Sequence, residues 1–292
     1  MSVQPGPKDL LTDVAGLSVG HAVDETIRTG TTVVLPDAPV VMAADVRGGG
    51  PGTRETDLLD PSRPIAEFHG AVLSGGSVFG LDAASGVVDR LSARGIGLDR
   101  GPRRLPLVPA AILFDLRNGG DKDWGDVSPY RRLGIEACEA AAVDFAVGRV
   151  GAGFGATAGD VPGGIGSASA TTGEWTVAAL VAVNSFGVVT TPPDGLAPVP
   201  MPKLALPGEN TTLVVVATDL ALTKAEAKRV AMMAHDGMAR TIRPIHTPFD
   251  GDTVFVMSTG RVSPGADPSI TLVAAGTLAA DCVASSIRRA IR

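Results

Sequence analysis

Short apolar runs separated by turn residues are the dominant pattern in this chain, and they predict β-strands. The run TTLVVVAT, which begins at Thr211, is β-branched and apolar throughout, as is typical of a buried strand. Two other runs meet at Thr172-Gly173 and predict a β-hairpin whose second strand ends at Asn184. The predicted strands are residues 17–19, 30–35, 39–43, 109–116, 166–171, 175–183, 211–218 and 253–258.

Apolar residues spaced three or four positions apart indicate helices between these strands. Residues 78–91 have this spacing, and Ser77 is their predicted N-cap. Thr223-Lys224-Ala225-Glu226 is a capping box that opens a helix reaching about residue 240. The other predicted helices are the alanine-rich residues 133–146 and a C-terminal helix that begins after Asp267. These strands and helices are typical of an α/β protein, and 292 residues are enough for one large domain or two small ones.

A proline-rich stretch, residues 191–210, precedes the Thr211 strand. It contains six prolines, and proline fixes φ and lacks a backbone donor, so we predict an extended, mobile connector. Residue types alone favour a loop that enters a strand. The alternative is a self-cleavage site, at which the Thr211 hydroxyl attacks the carbonyl of Asn210. The new α-amine of Thr211 then serves as the base for its own hydroxyl.

Composition argues against several classes of function. The chain has 292 residues, 45% of them apolar, and a net charge of −6 that argues against nucleic-acid binding. The four histidines lack metal-binding spacing, and Cys138 and Cys282 form no CxxC motif, so we predict neither metal nor cofactor. The N-terminus lacks a secretion signal, and no apolar run reaches the length of a membrane span. These features predict a cytoplasmic protein that does not contact membranes.

Clusters of glycine mark three further turns. Gly48-Gly49-Gly50 indicates a turn or a close approach of the backbone. Gly76 and Ser77 lie at a strand-to-helix turn whose amide groups predict substrate binding, a plain tight turn being the alternative. Residues 151–156, GAGFGA, formally match a dinucleotide-binding fingerprint, so a dinucleotide-binding protein is the distant alternative. The Gly and Pro residues that follow argue against it, because the phosphate-binding helix must begin there.

The chain resembles the DmpA-type autoprocessing aminopeptidase and amidohydrolase family, which is similar to N-terminal-nucleophile hydrolases. Within this family it most resembles the endo-type 6-aminohexanoate-oligomer (nylon-oligomer) hydrolases. The resemblance covers most of the chain and implies a single α/β domain, residues 1–292, with the layers of a four-layer αββα sandwich. It is carried, in the family's order, by Thr12-Asp13-Val14, DVRGGGPGTRETDLL, GGSVFGLDAASGV, FDLRNGG, GAGFGATAG, PGGIGSAS, Asn210-Thr211-Thr212, Ala217-Thr218-Asp219, Leu222-Thr223-Lys224 and FDGDTVF.

The resemblance implies a mechanism and the residues that perform it. Cleavage between Asn210 and Thr211 would give chains 1–210 and 211–292, which stay together and assemble into oligomers of heterodimers. Thr211 would be the nucleophile and Asn184 part of the oxyanion hole. Asp250 and Asp252 match the two acidic residues of the oligomer-hydrolase branch, and we expect Asp250 to assist self-cleavage. The implied substrate is a small or oligomeric amide, cleaved within linear oligomers; the alternative is an aminopeptidase that releases small or β-amino acids.

Two features of the predicted substrate pocket differ from the family pattern or have more than one candidate residue. Family members often have a lysine just before the GGIG segment, where this chain has Pro162. This difference affects the polarity of the pocket and therefore the choice of substrate. The aromatic pocket residue is predicted to be Tyr130, with Trp124 as the alternative.

Overall fold

The apolar runs of the sequence form the strands of the fold. The computed structural model describes residues 2–191, 193, 195–201 and 209–291, and this part of the chain includes seventeen strands and four α-helices. The strands are β1 (Gln4–Pro5), β2 (Leu17–Asp24), β3 (Thr29–Pro36), β4 (Val41–Val46), β5 (Thr53–Arg54), β6 (Ala71–Ser74), β7 (Leu98–Asp99), β8 (Arg104–Leu105), β9 (Ala110–Ile112), β10 (Thr157–Ala158), β11 (Val161–Pro162), β12 (Gly164–Thr171), β13 (Thr176–Asn184), β14 (Val188–Val189), β15 (Thr211–Leu220), β16 (Ile242–Arg243) and β17 (Thr253–Val262). The α-helices are α1 (Asp82–Ala93), α2 (Tyr130–Glu139), α3 (Lys224–Ala239) and α4 (Pro268–Ala290).

Most strands belong to two mixed sheets. The larger sheet has the order β1-β12-β13-β15-β17-β4, and the smaller has the order β2-β3-β6-β9-β5. Within them only the β15–β17 and β6–β9 neighbours run parallel among the described strands. Short two-stranded ribbons, β7–β8, β10–β11 and β14–β16, complete the set.

Alternation along β13 shows how the sheets and helices are layered. Successive side chains of a strand point to opposite faces. Val177 and Val181 pack in one buried cluster with residues of α3 and α4, whereas Leu180 and Ala182 pack in another that joins the two sheets. A third cluster packs α1 and α2 against the outer face of the smaller sheet. The result is the four-layer αββα sandwich, as expected from the resemblance.

Several predicted elements are confirmed. The hairpin forms as β12 and β13, with Thr171 opposite Thr176. The capping box opens α3, where the side chain of Thr223 accepts from the amide of Glu226 and the Glu226 carboxylate accepts from the amide of Thr223. At the start of α4, the side chain of Asp267 accepts from the amide of Ile270. In each case the residues that form the contact lie close together in the sequence.

Not every predicted boundary is correct. Ser77 does not cap α1, because a 3-10 turn, Ser77–Leu81, separates it from that helix. The predicted helix 133–146 ends at Glu139, since Ala142 exchanges backbone hydrogen bonds with Val19 of β2. The predicted strand 109–116 is shorter in the structure, where it covers Ala110–Ile112.

The C-terminal helix α4 is long and apolar enough, by length and composition, to cross a membrane. The expectation that no apolar segment reaches the length of a membrane span is therefore wrong for this helix. More than half of its apolar window is buried inside the fold, where it packs against β12, β13 and α3. A core helix of this architecture has the same composition. The cytoplasmic location stays a prediction.

The predicted connector, residues 191–210, falls partly outside the described residues, at positions 192, 194 and 202–208. The described positions of this segment belong to no helix, and its last residue, Asn210, forms an isolated parallel bridge with Asp250. This bridge brings the end of the segment to the turn before β17.

Candidate active site

The predicted nucleophile lies at the first position of a central strand. Thr211 opens β15, which is flanked by β13 and β17 in the larger sheet. The antiparallel register sets Asn184, the last residue of β13, opposite Thr211. On the other side, Asn210 bridges Asp250 in the turn that leads into β17. Sheet pairing therefore brings four of the predicted residues together from three separate parts of the chain.

The peptide bond between Asn210 and Thr211 is buried and held on both sides. Asn210 is 1% exposed and Thr211 is 2% exposed. The Thr211 hydroxyl donates a hydrogen bond to the carbonyl oxygen of Asn210. The same carbonyl accepts from the backbone amide of Gly251 at 2.8 Å. One hydroxyl and one fixed amide thus converge on a single carbonyl group, and the Gly251 amide is a donor that the sequence did not suggest.

The side chain of Asn184 points to the segment just before this peptide bond. Its Oδ1 accepts from the amide of Thr157 at 2.9 Å. Its Nδ2 donates to the carbonyl of Phe114 at 3.0 Å and lies 3.5 Å from the carbonyl of Glu209. The first two contacts fix the orientation of the amide, so that its nitrogen faces the site.

Pro162 lies beside this arrangement. It is paired with Thr157 in the small β10–β11 hairpin, and its side chain is exposed. The backbone amide of Thr157 donates to Oδ1 of Asn184, so position 162 is separated from that side chain by one strand pair. Proline supplies no charge there.

Asp250 holds the backbone around the site together. Its Oδ1 accepts from the amide of Phe186 at 3.1 Å, and its Oδ2 accepts from the amide of Thr247 at 3.0 Å. Burial, and then the charge of nearby Asp252, raises the pKa of Asp250, against the opposing effect of the hydrogen bonds from Thr247 and Phe186. The described hydrogen bonds of this carboxylate do not include the Thr211 hydroxyl, so its part in self-cleavage stays a prediction.

Asp252 holds the start of the nucleophile strand. Its Oδ1 accepts from the amide of Thr212 at 2.7 Å, and its Oδ2 accepts from the amide and the Nδ1 of His246 at 3.0 and 2.8 Å. The side chain is fully buried. Asp250 and Asp252 thus lie on either side of Gly251; Asp250 contacts Phe186, just beyond the end of β13, and Asp252 contacts Thr212 at the start of β15.

The triple glycine packs on this turn, as the sequence predicts for a close backbone approach. The amides of Gly48 and Gly50 donate to the carbonyls of Asp252 and Asp250, at 3.3 and 2.8 Å. A Cβ added to Gly48 would lie 2.3 Å from the Asp252 amide nitrogen, which leaves no room for a side chain. Gly48 therefore approaches the turn at a distance that only glycine permits.

The predicted substrate-binding turn at Gly76 and Ser77 lies next to the site and is connected to it through Asp115 and the backbone of Phe114. Gly76, at φ +86°, donates to Oδ1 of Asp115 at 2.8 Å, and Asp115 follows Phe114, which accepts from Asn184. The ring of Tyr130 is fully buried against Gly76, where a Cβ would lie 2.0 Å from it. Tyr130 supports this turn from inside the core, and substrate contact by Tyr130, Gly76 or Ser77 stays a prediction.

The dinucleotide-binding alternative can be compared with the geometry. Residues 151–156 contain a 3-10 turn, Gly151–Gly153, and Gly151 packs against His21 and Thr32 instead of opening an α-helix. A dinucleotide fingerprint requires that helix. Among the described residues, no three His, Cys, Asp or Glu side chains are grouped to hold a metal ion.

Known proteins resemble this chain over nearly its full length. The family model for peptidase family S58 matches residues 9–292. An uncharacterised aminopeptidase of Mycobacterium tuberculosis is 43% identical, covering 95% of this chain and 92% of that protein. A 6-aminohexanoate-oligomer endohydrolase of Kocuria sp. is 29% identical, covering 98% and 87%.

The fold is also found among solved structures. The L-aminopeptidase D-Ala-esterase/amidase of Ochrobactrum anthropi, described as a variant of the Ntn hydrolase fold, has a TM-score of 0.73 at 23% identity and covers 99% of this chain and 87% of its own. The four-layer architecture and the match to the family model lead to the same assignment. The chain belongs to peptidase family S58 and is an amide-hydrolysing enzyme of the aminopeptidase and amidase type, with an N-terminal-nucleophile hydrolase fold.

Proposed function

We propose that the chain cuts itself between Asn210 and Thr211 and then hydrolyses amide bonds through an acyl-Thr211 intermediate. The observation that carries this proposal is the buried Asn210 carbonyl, which accepts from both the Thr211 hydroxyl and the Gly251 amide. A hydroxyl in contact with the preceding carbonyl is poised for attack on it. A fixed amide donor on the same oxygen stabilises the negative charge that attack creates.

Self-cleavage proceeds in two steps. In the first, Oγ1 of Thr211 bonds to the carbonyl carbon of Asn210, the peptide C–N bond breaks, and the hydroxyl proton ends on the departing nitrogen. An ester and a free α-amine result. In the second, water adds to the ester carbon and Oγ1 leaves with a proton. One water molecule is consumed, and Asn210 becomes a carboxylate terminus.

The α-amine that cleavage exposes, which is an amide before the cut, supplies a base on the nucleophile residue itself. A threonine hydroxyl is a poor nucleophile at neutral pH without a base within reach. An α-amine has a reference pKa of about 8 and is partly neutral near that pH. It takes the proton of Oγ1 during attack on a substrate amide and returns it to the leaving amine. Water then hydrolyses the acyl-Thr211 ester.

Asn184 and the two aspartates complete the proposed site. The Nδ2 group of Asn184 is 3.0 Å from the Phe114 carbonyl and faces the cleavage segment, which suits it to donate to a developing oxyanion. The Asp252 carboxylate binds the amide of Thr212, next to Thr211, and the Asp250 carboxylate binds the amides of Phe186 and Thr247. We propose that both carboxylates belong to the active site, and that Asp250 assists self-cleavage as a proton acceptor.

The two product chains are expected to stay together. Chain 211–292 contributes β15 and β17, which pair with β13 and β4 of chain 1–210. Both contacts are continuous strand ladders inside one sheet, and the buried clusters on its two faces contain residues of both chains. Separation would expose these apolar faces to water. Assembly of such heterodimers into a larger oligomer is part of the proposal.

For the substrate, we propose linear amide oligomers of the 6-aminohexanoate type. The support is the Asp250-Gly251-Asp252 turn, which matches the oligomer-hydrolase branch, together with the 29% identity to enzymes of that name. The second candidate is aminopeptidase activity on small or β-amino acids, which the 43% identity to an uncharacterised aminopeptidase favours. Product analysis separates them: internal cuts give mixed oligomers, whereas an aminopeptidase releases one residue at a time.

Intact mass of the purified protein under denaturing conditions tests the proposal. We expect two species whose masses meet at Asn210/Thr211. Thr211→Ala should remain a single chain without amidase activity, and Thr211→Ser should retain part of both reactions because it keeps the hydroxyl. An uncut Thr211→Ala protein with full amidase activity would refute the mechanism.

A further inference from the structure

Two consecutive residues before the aspartate turn bind the two carboxylates of the site. The amide of His246 donates to Asp252 at 3.0 Å, and the amide of Thr247 donates to Asp250 at 3.0 Å. His246 has φ +56°, a left-handed conformation that non-glycine residues seldom adopt. The backbone at His246 thus bends so that the amides of His246 and Thr247 face the carboxylates of Asp252 and Asp250.

The imidazole of His246 adds a third donor to Asp252. Its Nδ1 lies 2.8 Å from Oδ2 of Asp252, while Oδ1 of the same carboxylate holds the amide of Thr212 at 2.7 Å. A carboxylate with donors on both oxygens is fixed in orientation. The line of contacts runs from His246 through Asp252 to the residue directly after the nucleophile.

The ring is itself held by the core of the larger sheet. It packs edge to face on His235, with ring centroids 4.8 Å apart, and Nε2 of His235 lies 3.1 Å from the carbonyl of Asp45. The Nε2 of His246 is buried and has no hydrogen-bond partner among the described residues. Within the described part of the chain, the polar contact of this ring is the one that its Nδ1 makes to Asp252.

We infer that His246 is a positioning residue for the Thr211 chemistry, and this inference rests on the proposed function. Its Nδ1 donor keeps the Asp252 carboxylate aimed at the Thr212 amide. This contact fixes the start of β15, so that the Thr211 hydroxyl stays on the Asn210 carbonyl before cleavage and on the substrate carbonyl afterwards. Small misplacement of a reacting group is costly, on the order of a hundredfold for 1 Å.

Asparagine and aspartate at position 246 form a matched test pair. Both tolerate the left-handed backbone that His246 adopts, and their side chains have nearly the same shape. The asparagine Nδ2 corresponds to the imidazole Nδ1 and donates to Asp252, whereas an aspartate oxygen accepts and repels that carboxylate. His246→Ala serves as a second variant that lacks the donor without adding a charge.

The readouts are the rate of precursor cleavage, followed by intact mass, and kcat and KM of fully processed protein. We expect His246→Asn to retain both rates within about threefold, and His246→Asp and His246→Ala to lose roughly tenfold or more in cleavage rate and kcat, with KM unchanged. Thermal unfolding of each variant is measured in parallel.

Three results would overturn the inference. They are equal rates in the Asn and Asp variants, a wild-type rate in His246→Ala, and failure of both the Asp and Ala variants to fold, which would make the role structural. Failure of the proposed function looks different, because wild-type protein would then stay uncut.

Discussion

Replacing Gly251 by alanine adds a methyl group directly against the proposed nucleophile. A Cβ built on Gly251 lies 2.7 Å from Oγ1 of Thr211, 2.9 Å from the carbonyl oxygen of Gly50 and 3.2 Å from Cα of Pro51. The Gly251 amide, which donates to the Asn210 carbonyl, is retained in this variant. The substitution therefore tests the position of the hydroxyl separately from the amide donor.

The magnitude follows from the contact distances. Ordinary van der Waals contact of a Cβ begins near 3.4 Å, so the Thr211 hydroxyl must move by roughly 0.7 Å or rotate away. Retreat of the methyl group is blocked by the Gly50 carbonyl and Pro51, which are backbone atoms. Since a displacement of about 1 Å costs on the order of a hundredfold in rate, we expect self-cleavage to slow about thirtyfold, or about 2 kcal/mol in the barrier.

The assay is a time course of precursor cleavage, read by intact mass after rapid purification of the variant. Gly101→Ala is the matched control, because a Cβ there meets nothing within 4 Å. The control should cleave at the wild-type rate and melt at the wild-type temperature. Cleavage of Gly251→Ala within a factor of about three of wild type would refute the assignment of this contact to the reaction.

Two further predictions concern the oxyanion donor and the response to acid. Asn184→Ala should lower kcat by about a hundredfold, as loss of one oxyanion donor typically does, and a change below about threefold in steady-state turnover would remove Asn184 from that role. Burial lowers the pKa of His21 from 6.5 to about 4, so the folded state binds this proton more weakly than the unfolded chain. His21 therefore contributes stability above about pH 6.5 that is lost as the pH falls towards 4. Relative to His21→Gln, the wild type should lose about 2 kcal/mol of unfolding free energy between pH 7 and about 4.5, and parallel denaturant titrations giving equal losses would contradict this.

Local signals in the sequence predicted the elements around the site well. The capping box at Thr223, the hairpin ending at Asn184 and the strand starting at Thr211 all occur where expected. Each depends on residues within one or two turns of each other or on period-two alternation, and such patterns are readable without a fold. The alanine-rich segment after α2 was misleading because a backbone contact with Val19 ends that helix at Glu139.

Local sequence patterns could not predict contacts between residues that are distant in the sequence. The roles of Asp250 and Asp252 in binding Phe186, Thr247, Thr212 and His246 depend on β15 lying between β13 and β17. Many pairing orders are compatible with the same set of strands. Family resemblance supplied the candidate site residues, but not which atoms of those residues contact each other.

By itself, the sequence determined the α/β class, the buried strand at Thr211 and the residues that resemble an autoprocessing hydrolase, because side-chain type and spacing carry that information. Only the tertiary structure decided that the Gly251 amide faces the Asn210 carbonyl and that His246 holds Asp252. Every residue except proline carries an N–H, so nothing in the residue type marks the one that will point at a given carbonyl. That choice is made by strand order and turn geometry, which arise when distant segments pack together.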